Sequence, residues 1–209
     1  MNGPLLIMKY FPDLTSEQMI RFEKISSFYQ KWNEKNNVIP RKELDTIYEA
    51  HVLHSLAISR IVSFMPGTRI LDVGTGGGFP GIPLAILYPD CQFVLIDSMQ
   101  KRIDLVHLVI ETLRITNASA IHVKAQDIFE KFDFVVSRAV AAFPVFVRLV
   151  KKNISPYSWN KRPNGILYLK GGSFEDEICD FKKEIEVTEI TRVFSEPCFQ
   201  SKKVVYLPV

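Results

Sequence analysis

Apolar residues recur along this chain at two different spacings, and the change of spacing divides it. Thr15-Ser16-Glu17-Gln18 has the form of a capping box, in which residues three apart satisfy each other's backbone N–H groups. Met19, Ile20, Phe22, Ile25, Phe28, Tyr29 and Trp32 follow at helical intervals and predict an amphipathic helix that ends near Asn36 and Asn37. A second helix is expected from about Lys42 to Phe64, with Leu44, Ile47, Tyr48, Leu56 and Ile61 on one face and Pro66-Gly67 as its stop. Residues 1–65 therefore read as an N-terminal helical cap. From Arg69 the pattern alternates: strands at 69–73, 93–97, 120–124, 133–137 and 166–169, and helices at 80–88, 100–113, 143–151 and 174–184. That alternation predicts an α/β fold with a mostly parallel sheet and helices on both faces. The last two apolar runs, 186–194 and 203–207, have no helix between them, so an antiparallel edge strand is expected in the unit spanning 66–209. The segment from Asn153 to Asn164, with Pro156, Trp159, Lys161, Arg162 and Pro163, reads as an exposed loop.

A length of 209 residues with 47% hydrophobic content supports one sizeable core. The longest apolar stretches are strand-length, short of the roughly 20 residues of a membrane span, and no charged-then-apolar leader is visible; a soluble, non-exported protein is expected. Cys91, Cys179 and Cys198 are far apart and form no C-x-x-C pair, which favours reduced thiols over disulfides or zinc. His51 and His54 have helical metal-ligand spacing, but no carboxylate or cysteine cluster joins them, so no metal is expected. The net charge of +3 is mild and compatible with one polyanion-facing surface.

The chemistry concentrates in the stretch from Ile70 to Ala85, where an apolar strand passes through Asp72 into a turn containing Gly74, Gly76, Gly77, Gly78 and Gly81 and then into a helix. Such a turn lets the backbone approach a ligand closely. A G-x-G-x-x-G spacing at Gly76, Gly78 and Gly81 keeps a nicotinamide or flavin dinucleotide open. In that pattern, however, the first glycine directly follows the strand, whereas here the strand ends in an acid, and Pro80 and Pro83 occupy the helix start. A carboxylate beside the loop disfavours a pyrophosphate and suits the ammonium of S-adenosylmethionine (SAM). Asp97, at the end of the next strand, is placed to accept hydrogen bonds from ribose hydroxyls in either cofactor class. Capping of the following helix is the competing explanation for both acids.

Several further segments, Lys31-Trp32-Asn33, His51 to Leu56, Asp72 to Leu84, Asp97-Ser98, Lys101-Arg102, Ser137-Arg138-Ala139 and Leu169-Lys170-Gly171, together resemble the RsmG family, also known as glucose-inhibited division protein B. The similarity runs through essentially the whole chain. It implies a class I SAM-dependent methyltransferase (Rossmann-like) fold and a cytosolic bacterial enzyme, acting on small-subunit (16S) ribosomal RNA or the assembling small subunit and methylating N7 of one guanine. Carried over by position, the family's cofactor contacts fall on Gly74, Phe79, Gln126, Asp127 and Arg138, beside Asp72, Gly76 and Asp97 from the physical argument. The chain departs from the common pattern at Ala50, His54 and Gly77, which bears on RNA contacts more than on the cofactor.

Guanine N7 carries a free lone pair at neutral pH, so this transfer needs no general base, and orientation and exclusion of water carry the catalysis. Arg138 is the expected catalytic group, as a donor to the base or a cofactor clamp. Phe79, Phe143 and Trp159 are candidate stacking platforms for an unstacked base. Lys170, Lys101, Arg102, Lys161 and Arg162 are expected RNA contacts, with Arg41, Lys42, Lys151 and Lys152 as further basic residues. A monomer is expected. The alternatives are a small-molecule methyltransferase, a non-catalytic SAM- or RNA-binding factor of ribosome assembly and, more remotely, a nicotinamide oxidoreductase.

Overall fold

Five strands run parallel, as the alternation of short apolar runs with helices requires, and two further strands extend the sheet at one side. The computed structural model describes residues 3–36, 44–172, 174–181 and 184–209. The strands are β1 (Arg69–Val73), β2 (Gln92–Asp97), β3 (Ala118–His122), β4 (Phe134–Arg138), β5 (Gly165–Gly171), β6 (Glu186–Glu189) and β7 (Lys202–Pro208). They lie in the order β3-β2-β1-β4-β5-β7-β6. β7 pairs antiparallel with both β5 and β6, so the antiparallel strand expected from the helix-free C-terminal segment is β7, one place in from the edge, and the outermost strand β6 runs in the sense of β5. The order reverses direction between β1 and β4. Such a switch point, at the carboxyl ends of the strands, is where open α/β sheets bind ligands.

The helices are α1 (Pro4–Tyr10), α2 (Ser16–Asn36), α3 (48–60), α4 (Gly81–Leu87), α5 (Gln100–Thr112) and α6 (Phe143–Val150). The capping box at the start of α2 is reciprocal: the Thr15 N–H donates to Gln18 Oε1 at 2.9 Å, and the Gln18 N–H donates to Thr15 Oγ1 at 3.3 Å. The Gln18 amide then donates to the carbonyls of Ile86 and Leu87, which fastens the start of α2 to the end of α4. Ile25, Tyr29, Val52, Leu53 and Leu56 are buried in the same cluster as Phe79, Ile82, Leu95 and Val136. The helical cap thus shares one core with one face of the sheet. A second cluster around Phe143, Phe146, Tyr168 and Val205 fills the other face.

Several boundaries differ from the sequence reading. α1 precedes the first expected helix. The second helix ends at Arg60 rather than Phe64, and it is π-helical over Tyr48–Leu53, α-helical over His54–Leu56 and 3-10 over Ala57–Arg60; its expected start at Lys42 lies outside the described residues. β3 begins two residues before its expected start. The carbonyl of Asn117 accepts from Phe93 N, and the Asn117 amide donates to the carbonyls of Ala85, Tyr88 and Cys91, which sets where the strand enters the sheet. The helix expected at 174–184 is a 3-10 segment, Glu175–Phe181. The strand expected to reach Phe194 stops at Glu189, because Phe194 turns inward to stack against Tyr10, Phe11 and Phe199. Among the described residues no helix is long and apolar enough to cross a membrane.

Candidate functional site

The glycine turn after β1 is built from the buried carboxylate beneath it. Asp72 Oδ2 accepts from the Thr75 hydroxyl at 2.6 Å and from the Gly81 N–H at 2.8 Å, so one oxygen ties the front of the turn to the first residue of α4. Gly81 must be glycine: a Cβ there would meet that same oxygen at 2.7 Å and Leu95 at similar distance. Asp72 has no exposed surface, and burial pushes its carboxyl up to about 7 against the pull of the two hydrogen bonds. This corrects the expectation that Asp72 faces a cofactor ammonium. The side chain lies behind the turn and outside the walls of the cavity, where it shapes the loop.

In front of the turn, at the carboxyl ends of β1, β2 and β4, lies a cavity of about 960 Å³. Gly74 and Gly76 line it, with φ of 67° and 58°, in the left-handed region that favours glycine. They are not equivalent. A Cβ on Gly74 would lie 2.3 Å from Val140 Cγ2, so its bareness serves packing against the loop after β4, whereas a Cβ on Gly76 would meet no atom within 4 Å. Gly76 therefore presents bare backbone to open space. Its N–H donates to Asp97 Oδ2 at 3.0 Å, and the other oxygen of Asp97 accepts from Met99 N at 3.0 Å. Arg102 approaches Asp97 Oδ2 at 3.2 Å. Asp97 precedes the N-cap of α5, which is Met99, so it closes a turn at the cavity edge rather than capping the helix itself.

The facing wall comes from β4 and the helical cap. Arg138, the last residue of β4, donates from Nη1 to Ala50 O at 3.3 Å and from Nη2 to His51 Nδ1 at 2.9 Å. Its guanidinium carbon lies 5.4 Å from the Phe79 ring centroid, and the His51 ring is 5.0 Å from the same ring. Tyr29 of α2 packs on Phe79 at 5.3 Å and donates its hydroxyl to the Gly77 carbonyl. Burial, reinforced by the charges of Arg138 and Lys202, lowers the His51 imidazole to about 3. Ala139 follows Arg138 with a φ of 53°, which turns the chain sharply into the cavity rim.

Of the expected site residues, Gly74, Gly76, Phe79, Asp97, Gln126, Arg138, Lys101 and Arg102 all line this one cavity. Asp127 does not. Ala125 and Gln126 do. Lys170 reaches the correct edge of the sheet but is held by both carboxylate oxygens of Glu177, at 2.8 and 2.9 Å. Lys161 and Arg162 are on the opposite edge. Their loop precedes β5 and is tied by Asn160 to Met65 N and Thr68 Oγ1, just before β1, while Arg162 pairs with Glu186 and stacks on Tyr206. Trp159 belongs to that far loop, packing at Gly67, and Phe143 is fully buried, so neither shares the cavity with Phe79. Arg41 and Lys42 lie outside the described residues. Sequence reasoning missed Trp32, His51, Lys124 and Val140 as wall residues. Among the described residues no group of three or more His, Cys, Asp or Glu side chains is placed to hold a metal ion.

Comparisons with known proteins agree with this geometry. A relative from Christiangramia forsetii, named ribosomal RNA small subunit methyltransferase G, is 49% identical over 204 residues, covering 98% of this chain and 96% of its own. A protein of the same name from Flavobacterium psychrophilum is 50% identical over 203 residues, covering 97% of each. Among solved structures, Aeropyrum pernix fibrillarin with bound S-adenosyl-L-methionine superposes with a TM-score of 0.53 at 15% identity, over 73% of each chain. Precorrin-6y C5,15-methyltransferase from Geobacter metallireducens gives 0.52 at 12% identity, over 65% of this chain and 73% of the other. These two show the shared methyltransferase fold. With a family model described as rRNA small subunit methyltransferase G matching residues 18–205, the chain belongs to that family.

Proposed function

We propose that this protein is a SAM-dependent methyltransferase that transfers a methyl group to N7 of one guanine in small-subunit ribosomal RNA, in the bacterial cytoplasm. The observation that carries this reading is the two-sided cavity. One wall is bare glycine backbone beside a carboxylate at a strand end, the other an arginine beside an aromatic ring, and near-full-length relatives bear the corresponding name. The residues fit SAM. Gly76 leaves open the space a Cβ would fill, and Asp97 retains acceptor capacity on Oδ1 for a ribose hydroxyl beyond the bonds it takes from Gly76, Met99 and Arg102. Gly74, Phe79, Ala125, Gln126 and Arg138 complete the proposed cofactor contacts. When bound, SAM supplies an electrophilic methyl group on a sulfonium.

The chain's own residues then orient and shield. N7 needs no proton removed, and His51 is unsuited to being a base, since its lowered pKa of about 3 leaves it only weakly basic and its Nδ1 is engaged by Arg138. The Arg138 guanidinium, a donor-only group on the cavity wall, is the proposed partner of guanine O6, which leaves the N7 lone pair to attack the methyl group. Phe79, backed by Tyr29 and His51, gives an apolar wall that excludes water from the transfer. Lys101, Arg102 and Lys124 line the mouth and are exposed, so they are the proposed phosphate contacts; Lys161 and Arg162 are not. The test is transfer of radiolabelled methyl from SAM to small subunits, or to their naked RNA, from cells lacking the protein, followed by borohydride and aniline cleavage at N7-methylguanosine. One labelled, cleavable guanine is expected. Tight SAM binding with no label in RNA would overturn the proposal.

A further inference from the structure

The guanidinium of Arg138 is gripped by two consecutive residues of α3, and the chemistry of that grip is fixed by elimination. A guanidinium has donors only, so at 2.9 Å the Nδ1 of His51 must be the acceptor. The imidazole proton is then on Nε2, and the ring is held in a single neutral tautomer. The second acceptor, the carbonyl of Ala50, is adjacent in sequence, and both belong to the π-helical turn Tyr48–Leu53, where the backbone winds wider than in an α-helix. Such turns recur at functional sites. Phe79 closes the third side, with the His51 ring and the Arg138 guanidinium both packed on it. A carboxylate in place of His51 would orient the guanidinium equally well but would neutralise it. A neutral acceptor orients it without itself cancelling the charge.

We propose that His51 is a positioning residue for the methyl transfer, holding Arg138 at the cavity wall as a neutral acceptor of one fixed tautomer. This rests on the reading of Arg138 as a group that touches cofactor or base. Among the described residues, the charged and titratable groups acting on His51 include Arg138 from β4, Lys202 from β7 and His54 within α3. Burial and the two cations among these keep the imidazole from protonating until about pH 3, so the grip persists over the whole range in which RNA is handled.

The experiment compares His51→Leu, His51→Asn, Arg138→Ala and the His51→Leu/Arg138→Ala double variant, each checked for folding by thermal melting. Asparagine can place its amide oxygen near the Nδ1 position and so retain the acceptor. Turnover and KM for small-subunit RNA, and the Kd for SAM, are measured from pH 5.5 to 8.5. His51→Leu is expected to lose about 10²-fold in turnover, the scale of an ångström's misplacement. The double variant should be no worse than Arg138→Ala alone, and His51→Asn should recover most of the loss. The wild type should show no inflection attributable to His51 in this pH range. Should His51→Leu fail to fold, His51→Gln, whose amide reaches past the Nδ1 position, replaces it. Wild-type turnover in the His51→Leu variant, additive losses in the double variant, or an Asn variant no better than Leu would overturn the inference while leaving Arg138 in the site. Full turnover in Arg138→Ala would overturn the reading of Arg138 together with the inference.

Discussion

Replacing Asp72 by Asn tests whether the buried carboxyl under the glycine turn is the group that makes the fold pH-sensitive. The folded-state pKa is about 7 against an ordinary 3.8, raised first by burial. The folded protein therefore holds this proton longer than the unfolded chain does. Below about pH 4 the carboxyl is neutral in both states and costs nothing. As pH rises towards 7 the unfolded chain ionises while the buried group resists, so stability falls across that window and levels off above it. A shift of about three units corresponds to ~4 kcal/mol in full, of which ~2–3 kcal/mol develops between pH 5 and pH 8. The asparagine oxygen can still accept from Thr75 and Gly81. Its amide nitrogen would occupy the place of Oδ1, which is buried without a hydrogen-bond partner, at a pH-independent cost of about 1–3 kcal/mol. The sign of the absolute change is thus set by two opposed effects, but its pH dependence comes from ionisation alone. Relative to wild type, the variant should gain about 5–10 °C in melting temperature on going from pH 5 to pH 8. Thermal and urea denaturation of the two proteins without cofactor, at both pH values, measure this. A difference between variant and wild type that is the same at pH 5 and pH 8 would refute the argument, because Asp72 would then ionise alike in folded and unfolded chains.

The two turn glycines separate packing from ligand approach. Gly76→Ala should cost about 1 kcal/mol of stability from its left-handed backbone yet weaken SAM binding at least ~10-fold by calorimetry, since its Cβ enters only the cavity; unchanged affinity would move the cofactor elsewhere. Gly74→Ala should lower the melting temperature more than Gly76→Ala does, because its Cβ must displace Val140 and the loop behind Arg138; equal melting temperatures would contradict that ordering. Lys101→Glu should raise the KM for small-subunit RNA and flatten the dependence of log affinity on log salt by about one unit per lost phosphate contact, whereas Lys161→Glu, on the far edge of the sheet, should change neither. RNA filter binding across a salt series distinguishes them, and an equal effect of both substitutions would contradict the placement of the RNA face.

Much of this site was legible because its chemistry is local. The glycine turn, Asp97 at a strand end and Arg138 at the next strand end follow from the order of elements, since residues immediately after a parallel strand face the ligand edge. The same rule read in reverse would have excluded Lys161 and Arg162, which precede β5 and therefore belong to the other edge. The capping box was legible for a similar reason, as its two residues satisfy each other within one turn. Boundary errors arose where tertiary contacts decide: Asn117 sets the start of β3 through three carbonyls brought from elsewhere in the chain, and Phe194 leaves its strand to join a distant aromatic cluster. Asp72 was misplaced because a strand-end acid can point forward to a ligand or back into the turn. Sequence cannot choose between these, whereas the close approach of Gly81 to Asp72 and Leu95 does.

His51 was the residue least accessible to sequence reasoning, for a physical reason. It sits on a helix of the cap, 87 positions from the arginine it holds, and its spacing from His54 suggests at most a metal. Its importance depends on the cap packing against the sheet so that α3 meets the end of β4. The shared core makes that docking integral to the fold, because Tyr29, Val52 and Leu56 are buried with Phe79 and Val136. The cap does more than cover the methyltransferase sheet. Through Tyr29 on Gly77 and His51 on Arg138 it fixes the glycine turn and the arginine that face each other across the cavity. A methyl transfer that depends on alignment rather than proton removal needs both held at once.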